Sequence, residues 1–148
     1  MDITPQKMRY LYVLLFLTVM MTLPWLGLTD FHTKGEPREA IVAQTMLAQD
    51  NWVMPHNNGG EIAYKPPFMH WCVAACGALA GGVNEYVARF PSALAAIVLA
   101  FGVYFFYARR RDGRTALMTA FVSFSSFEMF RAAYACRVDM VLTLCIVG

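Results

Sequence analysis

Charge is scarce in this sequence, and that scarcity narrows the possibilities before any residue is considered singly. Charged residues make up 15% of the 148, against 58% hydrophobic, with 11 Phe, 7 Tyr and 10 Met. So few charges cannot cover that much apolar surface in water, which excludes an ordinary soluble domain and points to a membrane protein. The formal net charge is only +2, and the basic residues form short clusters rather than a stripe, so nucleic acid is not an expected partner. No P-loop, G-x-G-x-x-G or G-x-S-x-G occurs, and cytosolic nucleotide chemistry has no support. Cysteine is limited to Cys72, Cys76, Cys136 and Cys145, all inside apolar runs. Cys72 and Cys76 would share a helix face and read as small packing residues rather than as metal ligands or a disulfide.

What is present is a set of apolar runs. Residues 11–28 carry no charge and follow Lys7 and Arg9. At about 1.5 Å per residue they nearly cross a hydrocarbon core of roughly 30 Å. The run exceeds a signal-peptide core and lacks a small-x-small cleavage site, so it reads as an uncleaved first span. Residues 29–67 are polar and broken, with a short helix expected from Pro37 to Gln49, led by Glu36 and carrying Ala40, Ala43, Met46 and Leu47 on one stripe. This helix is expected on the membrane surface, with Trp52 and Tyr64 at interfacial depth. Further spans are expected at about 88–108, 115–131 and 139–148, with 1–10 cytoplasmic and 29–87 an outer loop. The fold class is therefore all-α: polytopic transmembrane helices with amphipathic interfacial helices in the first outer loop.

Segment 67–82 decides the topology. If it stays at the interface, Arg109, Arg110, Arg111 and Arg114 fall on the same side as Lys7 and Arg9, as the positive-inside rule requires. If it crosses, that cluster lands outside. The first arrangement puts Glu36, Lys65 and Asp139 in one extracytoplasmic compartment. Nine residues follow Asp139, about half of a span, so the chain is expected to be part of a longer protein and inactive alone.

Several polar residues are candidates for chemistry. Asp139 stands at the mouth of a span, where a carboxylate either caps the helix or faces a cavity. Glu36 has the same ambiguity at the start of its helix. Pro66 and Pro67 stiffen the chain after Lys65, so its ammonium is held at the surface, either to meet a lipid-linked phosphate or to snorkel to headgroups. Arg131 and Arg137 are phosphate ligands or interfacial anchors. His32, His56 and His70 share the outer loop with Glu36 and Glu61, but at no tight metal-binding spacing.

The ordered set GEPREAIVAQTMLAQDNWVMPHNNG, YKPPFMHW, VNEYVARFPSALAAIVLA and FRAAYACRVDMVLT resembles the start of the GT-C glycosyltransferases of the aminoarabinose transferase and protein O-mannosyltransferase type. The resemblance covers the chain from about Leu11 to Gly148. It implies an inner-membrane enzyme of a bacterium that takes a sugar from a polyprenyl-phosphate carrier to a lipid, protein or glycan acceptor, among membrane lipids. On this likeness Glu36 and Asp139 match the acidic positions of the first and second outer loops, and Lys65 matches the lysine of the K-P-P motif that meets the donor phosphate. The family's glutamate before that lysine, a metal-binding position in some relatives, is replaced by Tyr64. A divalent metal ion is thus an open cofactor, and no other is implied. A transporter or channel segment would instead need charge near mid-span, for which Glu128 is the one candidate; a structural subunit would leave the three outer charges unexplained.

Overall fold

The structure is a computed structural model, described here over residues 4–57, 60–63 and 65–147. Its described residues form helices α1 (Pro5–Thr22), α2 (Gly35–Gln49), α3 (Phe68–Ala80), α4 (Glu85–Ala108), α5 (Gly113–Phe124), α6 (Phe127–Ala133) and α7 (Val138–Val147). A single isolated bridge, His56 to Ile62, is the nearest approach to a strand among them.

Among the described residues, two helices are long and apolar enough to cross a membrane: Pro5–Trp25, where a 3-10 turn extends α1, and Glu85–Ala108. Thr18 and Thr22 are buried inside the first, and each hydroxyl donates to the carbonyl four residues back, so no polar group is stranded. Asn84 caps α4 by accepting from Val87 N–H at 2.9 Å, and Asp112 caps α5 by accepting from Thr115 N–H at 3.0 Å. Gly81 ends α3 at φ 83°, a left-handed turn in which a side chain would be strained. Small residues Ala88, Ala93, Ala95, Ala96 and Ala100 line the buried side of α4, and α1, α3, α5, α6 and α7 all pack against it.

α1 and α4 run antiparallel. At one end, Tyr104 OH donates to the carbonyl of Lys7 at 2.6 Å, and Lys7 Nζ donates to the carbonyl of Ala108. Gly113 belongs to the same end, packed so closely on Tyr10 that a Cβ there would lie 2.7 Å from the ring. At the other end, Arg89 near the start of α4 grips the segment that follows α1. Between them, α3, 13 residues long and followed by Gly81, lies on α2 and α4.

The stretch expected as one span over 115–131 is divided. α5 stops after 12 residues at Phe124, and α6 begins afresh at Phe127. Ser123, Ser125 and Ser126 account for the break, because serine hydroxyls compete for backbone groups; Ser125 Oγ donates to the carbonyl of Val122. At about 18 Å, α5 alone is shorter than a hydrocarbon core.

The fold is knotted together by Glu36 and Arg89, each 1% exposed. Arg89 Nε lies 3.1 Å from Glu36 Oε1, while its remaining nitrogens donate to the carbonyls of Leu26 (2.7 Å), Thr29 (2.8 Å) and Asp30 (2.8 Å). Glu36 Oε1 also accepts from Cys136 N–H at 3.0 Å, and Oε2 accepts from His32 N–H at 2.9 Å and Thr33 N–H at 3.3 Å. The guanidinium stacks over Phe31. Burial alone would push the Glu36 carboxyl up, but the Cys136, Arg89 and His32 hydrogen bonds together hold it below the ordinary 4.5.

Two outcomes follow for stability. Arg89→Met leaves a buried carboxylate without its cation and lowers unfolding free energy by about 3–5 kcal/mol, read as lost thermal stability in detergent; Glu36→Gln on the same background restores part of it. Because Glu36 has its folded value lowered, it stabilises the fold above pH 4.5, and that contribution is lost as pH falls through the lowered value. Thermal midpoints measured from neutral pH downward should hold steady and then drop below 4.5, with a blunted drop in the double variant.

Candidate functional site

At the end of the bundle opposite Lys7 and the arginine turn, α2 presents two buried carboxylates on one face. Glu36 and Glu39 are three residues apart and in register with Ala40, Ala43 and Met46, the stripe that faces α3 and α4. Glu36 is occupied as described above. Glu39 turns to the loop and to α3: its Oε1 lies 2.7 Å from Lys65 Nζ and its Oε2 lies 2.7 Å from His70 Nε2. Burial favours the neutral acid at Glu39, but His70 and Lys65 outweigh it and hold the carboxyl below its ordinary value. Lys65, immediately before Pro66 and Pro67, keeps 40% of its side chain exposed while Glu39 keeps 3%. One face of the ammonium is therefore braced and the other is open.

A small cavity of about 50 Å³ adjoins this cluster, lined by Arg38, Glu39, Asn57, Lys65 and His70 with Val42, Ile62 and Ala63. That space admits a few water molecules rather than a sugar ring. Among the described residues His70 Nδ1 has no hydrogen-bonding partner, and Glu39 Oε2 has only the close approach of His70 Nε2.

The second group of candidates lies on the turn before α7 and on α6. Asp139 sits in the first turn of α7 with 55% of its side chain exposed, and Arg137 Nε is 3.3 Å from its Oδ2. Ser92 Oγ on α4 donates to the Arg137 carbonyl at 3.2 Å, and Cys136 N–H is held by Glu36, so the turn is fixed against α2 and α4. Arg131 pairs instead with Glu128 at 2.7 Å on the exposed side of α6. Glu128 is thus a surface partner of Arg131 rather than a mid-span charge.

Of the expected site residues, Lys65 and Asp139 lie at one end of the bundle with open faces, Arg137 lies beside Asp139, and Arg131 is turned to Glu128. Glu36 does not meet Lys65; its four accepting positions are filled by Arg89 and backbone. The partner of Lys65 is Glu39, a residue whose signal is its place on the apolar stripe of α2, where an unpaired carboxylate would be costly. Arg89 carries the same kind of signal, one turn into an otherwise apolar span. Tyr64 lies outside the described residues. A divalent cation does not fit what is described: no three His, Cys, Asp or Glu side chains converge, and the Glu39 carboxylate already faces an ammonium that would repel one.

The profile of the family described as dolichyl-phosphate-mannose-protein mannosyltransferase matches residues 64–148. The undecaprenyl phosphate-alpha-4-amino-4-deoxy-L-arabinose arabinosyl transferase of Shewanella sediminis is 32% identical over 130 residues, covering 88% of this chain and 23% of that protein. The enzyme of the same name from Edwardsiella ictaluri is 28% identical over 110 residues, covering 74% of this chain and 20% of its own. Among solved structures, ArnT from Cupriavidus metallidurans bound to undecaprenyl phosphate superposes with a TM-score of 0.79 at 26% identity, over 93% of this chain and 25% of that one. Its apo form gives 0.78. The chain thus spans about a quarter or less of the length of these relatives. An all-helical chain whose basic ends gather at one pole and whose Lys65 and Asp139 gather at the other, matched by that profile over more than half its length, belongs to the dolichyl-phosphate-mannose-protein mannosyltransferase family.

Proposed function

We propose that the whole protein transfers a sugar from a polyprenyl-phosphate carrier to an acceptor on the extracytoplasmic face of a bacterial inner membrane. The observation that carries this reading is Lys65: an ammonium braced from behind by a buried carboxylate and open in front. A fixed point charge of that kind suits the single negative charge of a phosphodiester and the growing charge on a departing phosphate. The names of the relatives favour undecaprenyl phosphate as the carrier and 4-amino-4-deoxy-L-arabinose as the sugar. Lipid, protein and glycan hydroxyls, and lipid phosphates, are all chemically competent acceptors.

In this mechanism the acceptor oxygen attacks the anomeric carbon and the bond from that carbon to the phosphate oxygen breaks. Polyprenyl phosphate leaves with the bonding pair, and Lys65 offsets its charge. Asp139, half exposed and beside Arg137, takes the proton from an acceptor hydroxyl or orients an acceptor phosphate. Glu36 is the weaker candidate for base, because every lone pair it would use already accepts a hydrogen bond. Arg137 is proposed as a further phosphate ligand, and Arg131 as a surface anchor through Glu128. The antiparallel placement of α1 and α4 supports a cytoplasmic N-terminus, with the arginine turn inside and α2 and α3 resting in the outer interface.

In membranes carrying the whole protein, Asp139→Asn should lower kcat by about 10²–10⁴-fold. Lys65→Ala should lower kcat/KM for the donor by about 10²-fold. Wild-type turnover in Asp139→Asn overturns its assignment as base. For sidedness, a protease site inserted after Arg111 should resist protease added to spheroplasts, and one inserted after Asn57 should be cut; the reverse pattern overturns the orientation.

A further inference from the structure

Two buried groups stand behind Lys65: Glu39, which braces it, and His70, which has no task in the transfer chemistry above. Glu39 and His70 are 2% and 1% exposed. The Glu39 carboxylate is divided between them and Lys65, one oxygen facing Lys65 Nζ and the other His70 Nε2, each at 2.7 Å. His70 Nδ1, on the far side of the ring, is buried and has no hydrogen-bonding partner among the described residues. For packing alone, apolar residues of similar volume would serve at least as well as a buried ionisable cluster. The cluster is built so that charge can be answered on demand.

Counting that charge shows what it does. Before a donor arrives, the Glu39 carboxylate and the Lys65 ammonium cancel, and the His70 ring stands on the other carboxylate oxygen. A phosphodiester adds one negative charge, and a single ammonium then has to serve both the phosphate and Glu39. A proton on His70 supplies the second positive charge beside Glu39 and leaves Lys65 to the phosphate. Imidazole is the side chain whose charge changes most readily near neutral pH. The other groups facing this region are already settled. Arg38 of α2 lines the same cavity as a permanent cation, and Glu36 of α2 is matched by Arg89 of α4. Between α6 and α7 the Cys136 thiol is neutral, burial pushing it up to about 12.

We propose that Glu39 and His70 are positioning residues for Lys65, and that binding of the donor phosphate is coupled to uptake of one proton by His70; this rests on Lys65 being the donor-phosphate ligand. The proton comes from solvent and is added at Nδ1, the nitrogen that does not face Glu39. The adjoining cavity has room for the water that delivers it.

The test uses the whole protein in detergent and a short polyprenyl methyl phosphate, a phosphodiester whose charge is constant from roughly pH 5.5 to 8.5, the range in which imidazole titrates. Affinity should weaken as pH rises, by up to about tenfold per pH unit. Calorimetry in buffers of different ionisation enthalpy should count close to one proton taken up per ligand bound. His70→Gln should flatten the pH profile, and Glu39→Asp should retain more of the slope than Glu39→Leu. Unchanged binding in Lys65→Ala overturns the phosphate assignment itself. Lost binding in Lys65→Ala, together with a pH-independent wild type or a His70→Gln variant that keeps the wild-type slope, overturns the proton coupling alone. Where His70→Gln does not purify as a folded protein, the proton count on the wild type decides.

Discussion

A carboxylate and a guanidinium buried together at the start of α2 and α4 hold this structure in place. Neither charge is tolerable in that position without the other, and their geometry leaves almost nothing unsatisfied. Arg89 answers Glu36 with one nitrogen and spends the rest on three carbonyls of the segment after α1. Glu36 in turn gathers N–H groups from its own approach loop and from the turn before α7. Four stretches of chain that share no regular hydrogen bonding are thereby brought to one point. The site residues are carried on those stretches: Lys65 and Glu39 through α2, Asp139 and Arg137 through the turn.

This arrangement separates two kinds of charge along the bundle. Lys7, Arg9 and the arginines after α4 gather at one end, where backbone contacts join α1 to α4. The carboxylates and Lys65 gather at the other. α3 lies against α2 and α4, and its shortness, its glycine stop and its buried His70 all suit that packing. The proposed transfer from a membrane-anchored phosphate calls for a reactive end that is polar but sheltered. One buried carboxylate, Glu39, behind a part-exposed ammonium meets that need with few charges.

Much of the helical frame was legible in the residues. Two long apolar helices, a helix beginning beside Glu36 and Pro37 and a helix beginning beside Asp139 are present, although α1 starts at Pro5, ahead of the apolar run at 11–28. The division at Ser125 and Ser126 was harder to see, because hydropathy averages over a window and three serines scarcely lower it, whereas the backbone responds to each hydroxyl. The site was legible in outline only. Lys65 and Asp139 stand out because prolines and a span boundary mark them. Glu39, Arg89 and His70 do not, since their meaning comes from partners 26 to 53 residues distant or on another helix. Charge inside an apolar stripe was the available clue. It says that a partner exists without saying which.

The hydrogen bond from Cys136 N–H to Glu36 closes a loop of 100 residues. In the proposed orientation, a chain threaded into a bilayer from its N-terminus presents Glu36 to the outer side long before residue 136 has been made or moved across. During that interval the carboxylate can be matched by Arg89 at best, and its last donor is missing. In that orientation this end of the domain matures late, as a latch that shuts only after the α6–α7 turn has been translocated. Until then α1 and α4 sit in the membrane as neighbours whose polar end is still open to lipid headgroups, to water and to whatever assists insertion.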